Sequence, residues 1–195
     1  MIRIAHFKKT AMKKITCIFF AVAMSFMTQA QNKYFTRSGK VTFSASTPLE
    51  TIEAENDKGT SVIDAATGQV EFSVLMKAFL FEKALMQEHF HENYVESDKF
   101  PKSTFKGTIA NMKEIDLGQN GTYKAQIKGE LTLHGITHPL ETVAVLTVSH
   151  GKLVAVTEFQ VALAEYGIEI PSIVREKISK VVAVKLDASY AVLSN

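Results

Sequence analysis

The sequence predicts an all-β protein, an extended antiparallel β-barrel of about eight strands with one short lid helix. Three observations predict this fold. Apolar and polar residues alternate over long runs, turn dipeptides separate these runs, and a single stretch replaces the alternation with helix-forming residues.

The longest alternating run is YKAQIKGELTL, in which Tyr123, Ala125, Ile127, Leu131 and Leu133 share one face. Its eleven residues exceed the usual strand length of ~5–6 residues. The runs VEFSVLM, LVAVTEFQVAL and VVAVKLDASYAV alternate in the same way. With the turn signals at Thr67-Gly68, Asn120-Gly121 and His150-Gly151, the pattern predicts eight or nine strands. They lie near 40–45, 49–56, 59–64, 69–77, 103–115, 121–133, 138–149, 152–163 and 181–193.

The length of these strands favours a closed barrel over a sandwich, because closure requires tilted, staggered strands and removes exposed edges. The inward set is almost purely aliphatic and aromatic. A barrel of about eight strands either packs its interior with side chains or holds one small ligand. Both alternatives are open from the sequence, and an apolar cavity would take an apolar ligand.

The only convincing helix lies between the strands at 69–77 and 103–115. Helix formers predominate from Glu82 to Glu92, and Leu85, Met86, Phe90 and Tyr94 fall on one apolar face. Phe100-Pro101 follows, and the residue before a proline is disfavoured in helical geometry. A single amphipathic helix must place its apolar face on the sheet, so we expect it to cover the barrel mouth.

Histidines supply the alternative interpretation, a metal-dependent enzyme acting on a hydrophobic substrate. On a helix, His89 and His91 point about 200° apart, and Gly135 and Pro139 exclude a helical metal motif from His134 and His138. The enzyme hypothesis therefore requires all four histidines and nearby acids to converge in space. Nucleophile-elbow, phosphate-loop and dinucleotide motifs do not occur. We predict no enzyme activity, catalytic residue, metal or cofactor.

The first thirty residues read as a cleaved secretory signal. Five basic residues precede an apolar run from Ile15 to Met27, and Thr28-Gln29-Ala30 suits signal peptidase. This segment holds five of the 22 basic and none of the 20 acidic residues, which leaves 17 against 20 and a net charge of −3. That charge gives no support to nucleic-acid binding. We expect one domain, residues 31–195, in the periplasm or secreted; it contains no cysteine.

The stretch from Phe100 to Leu140 resembles the YceI family of secreted, lipocalin-like proteins. Phe100-Pro101 and Phe105 match its Phe-Pro turn and following strand, and GELTLHGITHP, residues 129–139, matches its most specific segment. His89-Phe90 and Tyr166-Gly167-Ile168 match more weakly. The resemblance covers most of residues 39–193. It implies an extended antiparallel barrel that binds a long polyisoprenoid or fatty-acyl chain, and a periplasmic setting.

We therefore predict a periplasmic lipid-binding protein that carries or sequesters a long-chain isoprenoid or fatty-acyl amphiphile. The alternation places ten residues along the tunnel: Phe72, Val74, Met76, Phe105, Ile109, Ile127, Leu131, Leu133, Phe159 and Val161. The lid adds Leu85, Met86 and Phe90 as closing residues, and His89 and Tyr94 as polar tips near a head group. A homodimer is compatible with this prediction. A filled barrel with an outer binding surface, serving a stress-response or adhesion partner, is a third interpretation.

Overall fold

The computed structural model describes residues 33–193. The predicted signal segment, 1–30, lies outside the described residues, so its cleavage stays a prediction. Within the described range the strands are β1 (Lys33–Ser44), β2 (Glu53–Asp64), β3 (Gln69–Leu75), β4 (Leu80–Phe81), β5 (Lys102–Ile109), β6 (Gly121–Leu133), β7 (Ile136–Ser149), β8 (Lys152–Ala162) and β9 (Val181–Val192).

Eight of these strands close into a barrel. Their order around it is β1-β9-β8-β7-β6-β5-β3-β2, and the pairing of β1 with β2 completes the ring. Every pairing is antiparallel. The two-residue β4 lies outside the ring and pairs with the start of β2. The predicted fold class, an antiparallel barrel of about eight strands, is confirmed.

The largest differences from the predicted strand bounds are in β1, β2 and β5. β1 begins at Lys33, β5 ends at Ile109, and the strands predicted at 49–56 and 59–64 are one strand, β2. The sequence Asp57-Lys58-Gly59 resembles a turn, but here it forms a bulge opposite Gly39 and Val41. Buried Asn56 holds the bulge: its Nδ2 donates to the Leu75 carbonyl, and its Oδ1 accepts from the Lys58 amide. These contacts are non-local and absent from the strand pattern.

The lid is shorter and more irregular than predicted. Helix α1 covers only Ala84–His89, and a π-helical turn follows at Phe90–Tyr94. A 3₁₀ turn at Met76–Ala78 connects β3 to this segment. Within residues 33–193, the structure contains no helix with the length and apolar character needed to cross a bilayer.

Buried side chains form two clusters, one in each half of the barrel. The half near the lid is centred on Val74, Phe79 and Val161, and the opposite half on Leu146 and Leu153. Phe105 and Leu186 pack against both clusters. The interior is therefore apolar along its whole length.

Candidate ligand-binding cavity

An elongated cavity lies inside the barrel, and all eight strands of the ring contribute to its wall. Along β5 alone the wall runs from Ser103 to Ile109, which corresponds to about 20 Å of strand. The enclosed volume is about 190 Å³, below the ~300–1,000 Å³ of a typical drug-sized site. A long space of small volume is narrow, so its shape suits a single chain rather than a compact, bulky molecule.

The cavity wall is apolar and carries no charged side chain. Of its six hydroxyl-bearing residues, all but Thr104 form side-chain hydrogen bonds within the described chain. Ser103 Oγ donates to the Thr132 carbonyl, and Thr157 Oγ1 donates to the Val143 carbonyl. Because burying an unpaired polar group is costly, this wall favours a hydrocarbon guest and offers no counter-charge to an ionic head group.

One hydroxyl relay crosses the inner wall near the end opposite the lid. The Tyr190 hydroxyl donates to Ser61 Oγ over 2.8 Å, and Ser61 Oγ donates to the Glu71 carbonyl over 2.7 Å. Burial raises the pKa of Tyr190 to about 12, although the hydrogen bond with Ser61 acts in the opposite direction. The phenol is therefore a neutral structural group across the physiological pH range.

Two phenylalanines on neighbouring strands lie against the wall rather than across the cavity. Phe72 of β3 covers a cross-strand glycine pair on β1 and β2, and Phe105 of β5 covers a second pair on β5 and β6. These pairs are Gly39–Gly59 and Gly107–Gly129. Each pair lacks the side chains that would otherwise push a ring inward, so the glycines help to keep the interior open.

Aromatic rings meet at the lid end of the cavity. The Phe90 ring lies 5.3 Å from Phe43, 5.7 Å from Phe79 and 5.1 Å from Phe81, measured between ring centroids. Such tilted and edge-on contacts are favourable aromatic geometries. Phe90 is the lid residue that the π-helical turn directs into the barrel.

Eleven of the fifteen residues predicted for the ligand site lie on the cavity wall, namely the ten tunnel residues and Phe90. The other four do not line it. Leu85 is 62% exposed and His89 is exposed, whereas Met86 and Tyr94 are partly buried outside the lining. The predicted apolar face does not form. Leu85 lies about 140° from Phe90 on a regular helix, so the period of α1 already separates them, and the π-helical turn changes the angular spacing only of the residues from Phe90 to Tyr94.

The tunnel prediction omitted residues from β1, β2, β7 and β9, among them Phe43, Ile63, Leu140, Val184 and Leu186. The alternation of VVAVKLDASYAV already placed Val184 and Leu186 on one face and could have identified them. Phe43 and Leu140 gave no comparable signal, because the pattern around each is short or interrupted by Pro139.

The four histidines of the enzyme hypothesis do not form a metal site. Within the described chain, no group of three or more His, Cys, Asp or Glu side chains is placed to hold a metal. His134 pairs with Glu96, and His138 Nε2 lies 2.9 Å from the Glu165 carbonyl oxygen. His91 Nε2 is buried and has no partner among residues 33–193. The arrangement gives no support to the enzyme alternative.

Two polar contacts attach the lid segment to the rest of the protein. His134 Nε2 lies 2.8 Å from Glu96 Oε2, and Lys83 Nζ lies 2.9 Å from Glu50 Oε1. Lys77 and Asp98 form a further ion pair within the lid segment. The His134 ring also packs edge-on against Phe100, with the centroids 4.6 Å apart. The lid segment is therefore held against the barrel end by specific side-chain contacts.

Solved structures with the same fold have little sequence identity to this chain. A polyisoprenoid binding domain from Saccharophagus degradans aligns with a TM-score of 0.72 and 13% identity, over 84% of this chain and 99% of its own. BcnA of Burkholderia cenocepacia aligns at 0.65 and 14%, over 78% and 96%. The YCEI protein of Campylobacter jejuni aligns at 0.53 and 13%, over 73% and 85%.

A comparison with curated proteins gave no significant match. The family model of the YceI-like domain, in contrast, matches residues 13–190. The segment GELTLHGITHP, which carried the resemblance, forms the end of β6, the turn at His134-Gly135 and the start of β7. With the family model matching nearly the whole chain, this protein belongs to the YceI-like family.

Proposed function

We propose that this protein binds one long-chain isoprenoid or fatty-acyl amphiphile inside the barrel and carries or sequesters it. The observation that carries the proposal is the cavity itself, which is narrow, about as long as the barrel, and lined without a charged side chain. The similar domain from Saccharophagus degradans is described as polyisoprenoid binding, which supports the same ligand class here.

Burial of a hydrocarbon chain would supply the affinity. Each buried methylene contributes roughly 0.8 kcal/mol, so fifteen carbons offer about 12 kcal/mol before the costs of ordering the chain. The wall can adapt to such a chain through changes of side-chain rotamer. The wall consists largely of Val, Leu, Ile and Phe, whose exchange of rotamers breaks no hydrogen bond.

The head group would lie outside the apolar wall, because all but one of the hydroxyl-bearing wall residues already form side-chain hydrogen bonds and the wall carries no charged side chain. Leu85, Met86, His89 and Tyr94 retain a place in the proposal only as contacts for a part of the ligand that protrudes past Phe90. Export to the periplasm or the exterior is part of the proposal and rests on the signal pattern of residues 1–30. Homodimer formation stays a prediction, which the molecular mass in solution from analytical ultracentrifugation would test.

Native mass spectrometry tests the proposal directly. The protein is expressed from its full sequence in a bacterial host, and its intact mass under denaturing conditions shows whether residues 1–30 have been removed. A discrete extra mass under native conditions, which organic extraction releases as one lipid species, supports the proposal and identifies the ligand class. A bare mass that stays unchanged after incubation with polyprenols and long-chain fatty acids overturns it.

A further inference from the structure

Four connections lie at the same end of the barrel, which we call the lid end. They are the segments 45–52, 76–101, 134–135 and 163–180. Cross-strand pairs and loop contacts establish this arrangement: Ala54 pairs with Phe81, and Thr104 pairs with Thr132. The Ser179 amide donates to the Ala45 carbonyl over 2.9 Å. A ligand that leaves past Phe90 emerges among these segments.

Large apolar side chains project from the lid end into solvent. Ile173 is 89% exposed, Leu49 is 65% exposed and Leu85 is 62% exposed. Each belongs to a different segment, and contacts hold these segments together. Lys83, two residues before Leu85, forms an ion pair with Glu50, next to Leu49. The Ser179–Ala45 hydrogen bond joins the segment of Ile173 to that of Leu49.

Three cations follow Ile173, the most exposed of these side chains, along the chain. Arg175, Lys177 and Lys180 are exposed, and none forms an ion pair with another residue of the described chain. Glu176 is the one acidic residue from Ser172 to Lys180, so this part of the connection has a net charge of +2, whereas Glu165 and Glu169 make the whole connection 163–180 neutral. The hydrogen bond and the charge of Lys83, with a smaller contribution from the charge of Lys177, lower the pKa of Glu50, the residue next to Leu49.

We propose that the lid end docks on the surface of an anionic phospholipid bilayer. Ile173 and Leu49 would enter the head-group layer, while Arg175, Lys177 and Lys180 would contact lipid phosphates. Separate apolar side chains interspersed with cations suit an anionic membrane interface. A protein partner, in contrast, needs a continuous, well-packed contact surface. This proposal rests on the proposed lipid-binding function, since docking would place the cavity mouth next to its source of ligand.

The acidic residues of the lid set the orientation of docking. Glu82 and Glu88 flank Leu85 and are exposed, so α1 is repelled by an anionic surface. The segment 172–180 should therefore approach the bilayer most closely, and α1 should remain at the edge of the contact. Of the three apolar side chains, Ile173 is expected to contribute most.

Vesicle flotation tests the docking proposal. The protein, expressed from its full sequence and with residues 1–30 verified as absent by intact mass, is mixed with vesicles of phosphatidylcholine alone or with about 30% phosphatidylglycerol. We expect flotation with the anionic vesicles only, and we expect added salt to weaken it because ions screen the phosphates. Arg175→Glu/Lys177→Glu/Lys180→Glu and, separately, Ile173→Glu should each reduce binding about tenfold or more.

A charge-matched variant provides the control. Lys113→Glu/Lys124→Glu/Lys152→Glu makes the same change in net charge at the opposite end of the barrel, where all three lysines are exposed. This variant should bind vesicles within about twofold of the wild type, because screened charges act only within ~8–10 Å and the substituted positions lie far from the bilayer. Equal loss of binding in both triple variants would overturn docking through the lid end.

Lipid content, measured by native mass spectrometry on the same preparations, separates this proposal from the proposed function. Bound lipid together with lost flotation in the lid-end variants supports docking. A wild-type protein that holds lipid but never floats overturns docking and leaves the carrier function intact. A protein that neither floats nor holds lipid contradicts both. Concentration-dependent dimers abolished by Ile173→Glu, without any flotation, would assign the surface to a second copy and overturn the bilayer as its partner.

Discussion

Phe72 and Phe105 lie directly opposite one another in the register of β3 and β5, and each ring covers a cross-strand glycine pair. A Cβ atom added at Gly59 would lie 2.6 Å from Phe72 Cζ, and one added at Gly39 would lie 3.2 Å from Phe72 Cε2. The ring can stay against the wall only because both positions lack a side chain. The width of the cavity therefore depends on residues that a search for apolar side chains overlooks.

The glycine pair leads to the first prediction. Gly39→Ala should displace the Phe72 ring toward the cavity, cost about 1–3 kcal/mol of stability through overpacking, and reduce lipid uptake. Adding Phe72→Leu should restore most of the uptake, since the smaller side chain leaves room for the new methyl group. Denaturant unfolding and a lipid-loading assay measure the two effects.

The control for this prediction is Gly151→Ala. Gly151 has a φ of +75°, and a Cβ there would have no neighbour within 4 Å. An alanine is strained at this φ, so stability should fall while uptake stays normal. Equal uptake by wild type and Gly39→Ala would show that Phe72 does not control the cavity width.

Leu133→Glu provides the second prediction. Leu133 lines the cavity near the lid end, and a carboxylate there would face an apolar wall without a counter-charge. We expect lipid uptake to be lost, with a circular dichroism spectrum that still shows the barrel. Val143→Glu is the matched control, because Val143 is 52% exposed on a neighbouring strand and its substitution should leave uptake unchanged. Normal uptake by folded Leu133→Glu protein would remove this residue from the lining.

The sequence predicted the barrel wall well, because the two-residue period of a strand directly determines which side chains face inward. Ile127 and Leu131 on β6, or Phe159 and Val161 on β8, needed no tertiary information. Closure was also predictable, since long one-sided strands leave edges that require pairing. The wall residues could therefore be identified from the local sequence pattern alone.

The lid could not be predicted to the same accuracy. Its geometry depends on the contacts of Phe90 with Phe43, Phe79 and Phe81. These three rings lie outside the helix, so a local sequence pattern does not predict the contacts. The contacts coincide with the switch from α-helix to π-helical turn, which changes the spacing from Phe90 to Tyr94. Leu85 lies about 140° from Phe90 even on a regular helix, so grouping the two on one face was wrong. Likewise, the side-chain hydrogen bonds of Asn56 turn an apparent hairpin signal into a bulge.

Alkaline pH should destabilise the protein through Tyr190, which is the third prediction. Burial raises the pKa of Tyr190 to about 12, above the value of about 10 expected for the unfolded chain. The corresponding stability is complete below pH ~10 and is lost as the pH rises toward ~12, because the unfolded state releases the proton more readily. The loss approaches about 2–3 kcal/mol.

Tyr190→Phe isolates this contribution. Near neutral pH the variant should lose about 1 kcal/mol, since Ser61 Oγ keeps its bond to the Glu71 carbonyl and only one hydrogen bond disappears. Between pH 10 and 12 its stability should decline less steeply than that of the wild type. Denaturant unfolding at several pH values measures both slopes, and parallel declines would refute the assignment to Tyr190.

The fourth prediction concerns the fastening of the lid by His134 and Glu96. The Tyr166 carbonyl, 2.9 Å from His134 Nδ1, can only accept a hydrogen bond, so Nδ1 carries a proton. Nε2 then binds the Glu96 carboxylate most strongly when it is protonated as well. Glu96 and His134 both have left-handed backbone conformations, with φ of 43° and 51°. The side-chain contact therefore joins two tight turns, one in the lid and one between β6 and β7.

Glu96→Ala removes the carboxylate while retaining a Cβ, so the backbone strain at this position changes little. Because Glu96 is 42% exposed, we expect a modest cost of about 1 kcal/mol. The backbone amides of Val95, Ser97 and Phe100, which bond within the lid, should exchange about fivefold faster with solvent if this energy holds the lid closed. Glu141→Ala is the control: it breaks the exposed ion pair with Lys128 and should leave these amides unchanged. If Glu96→Ala also leaves them unchanged, the aromatic contacts of Phe90 and the Lys83–Glu50 ion pair hold the lid without the contribution of His134 and Glu96.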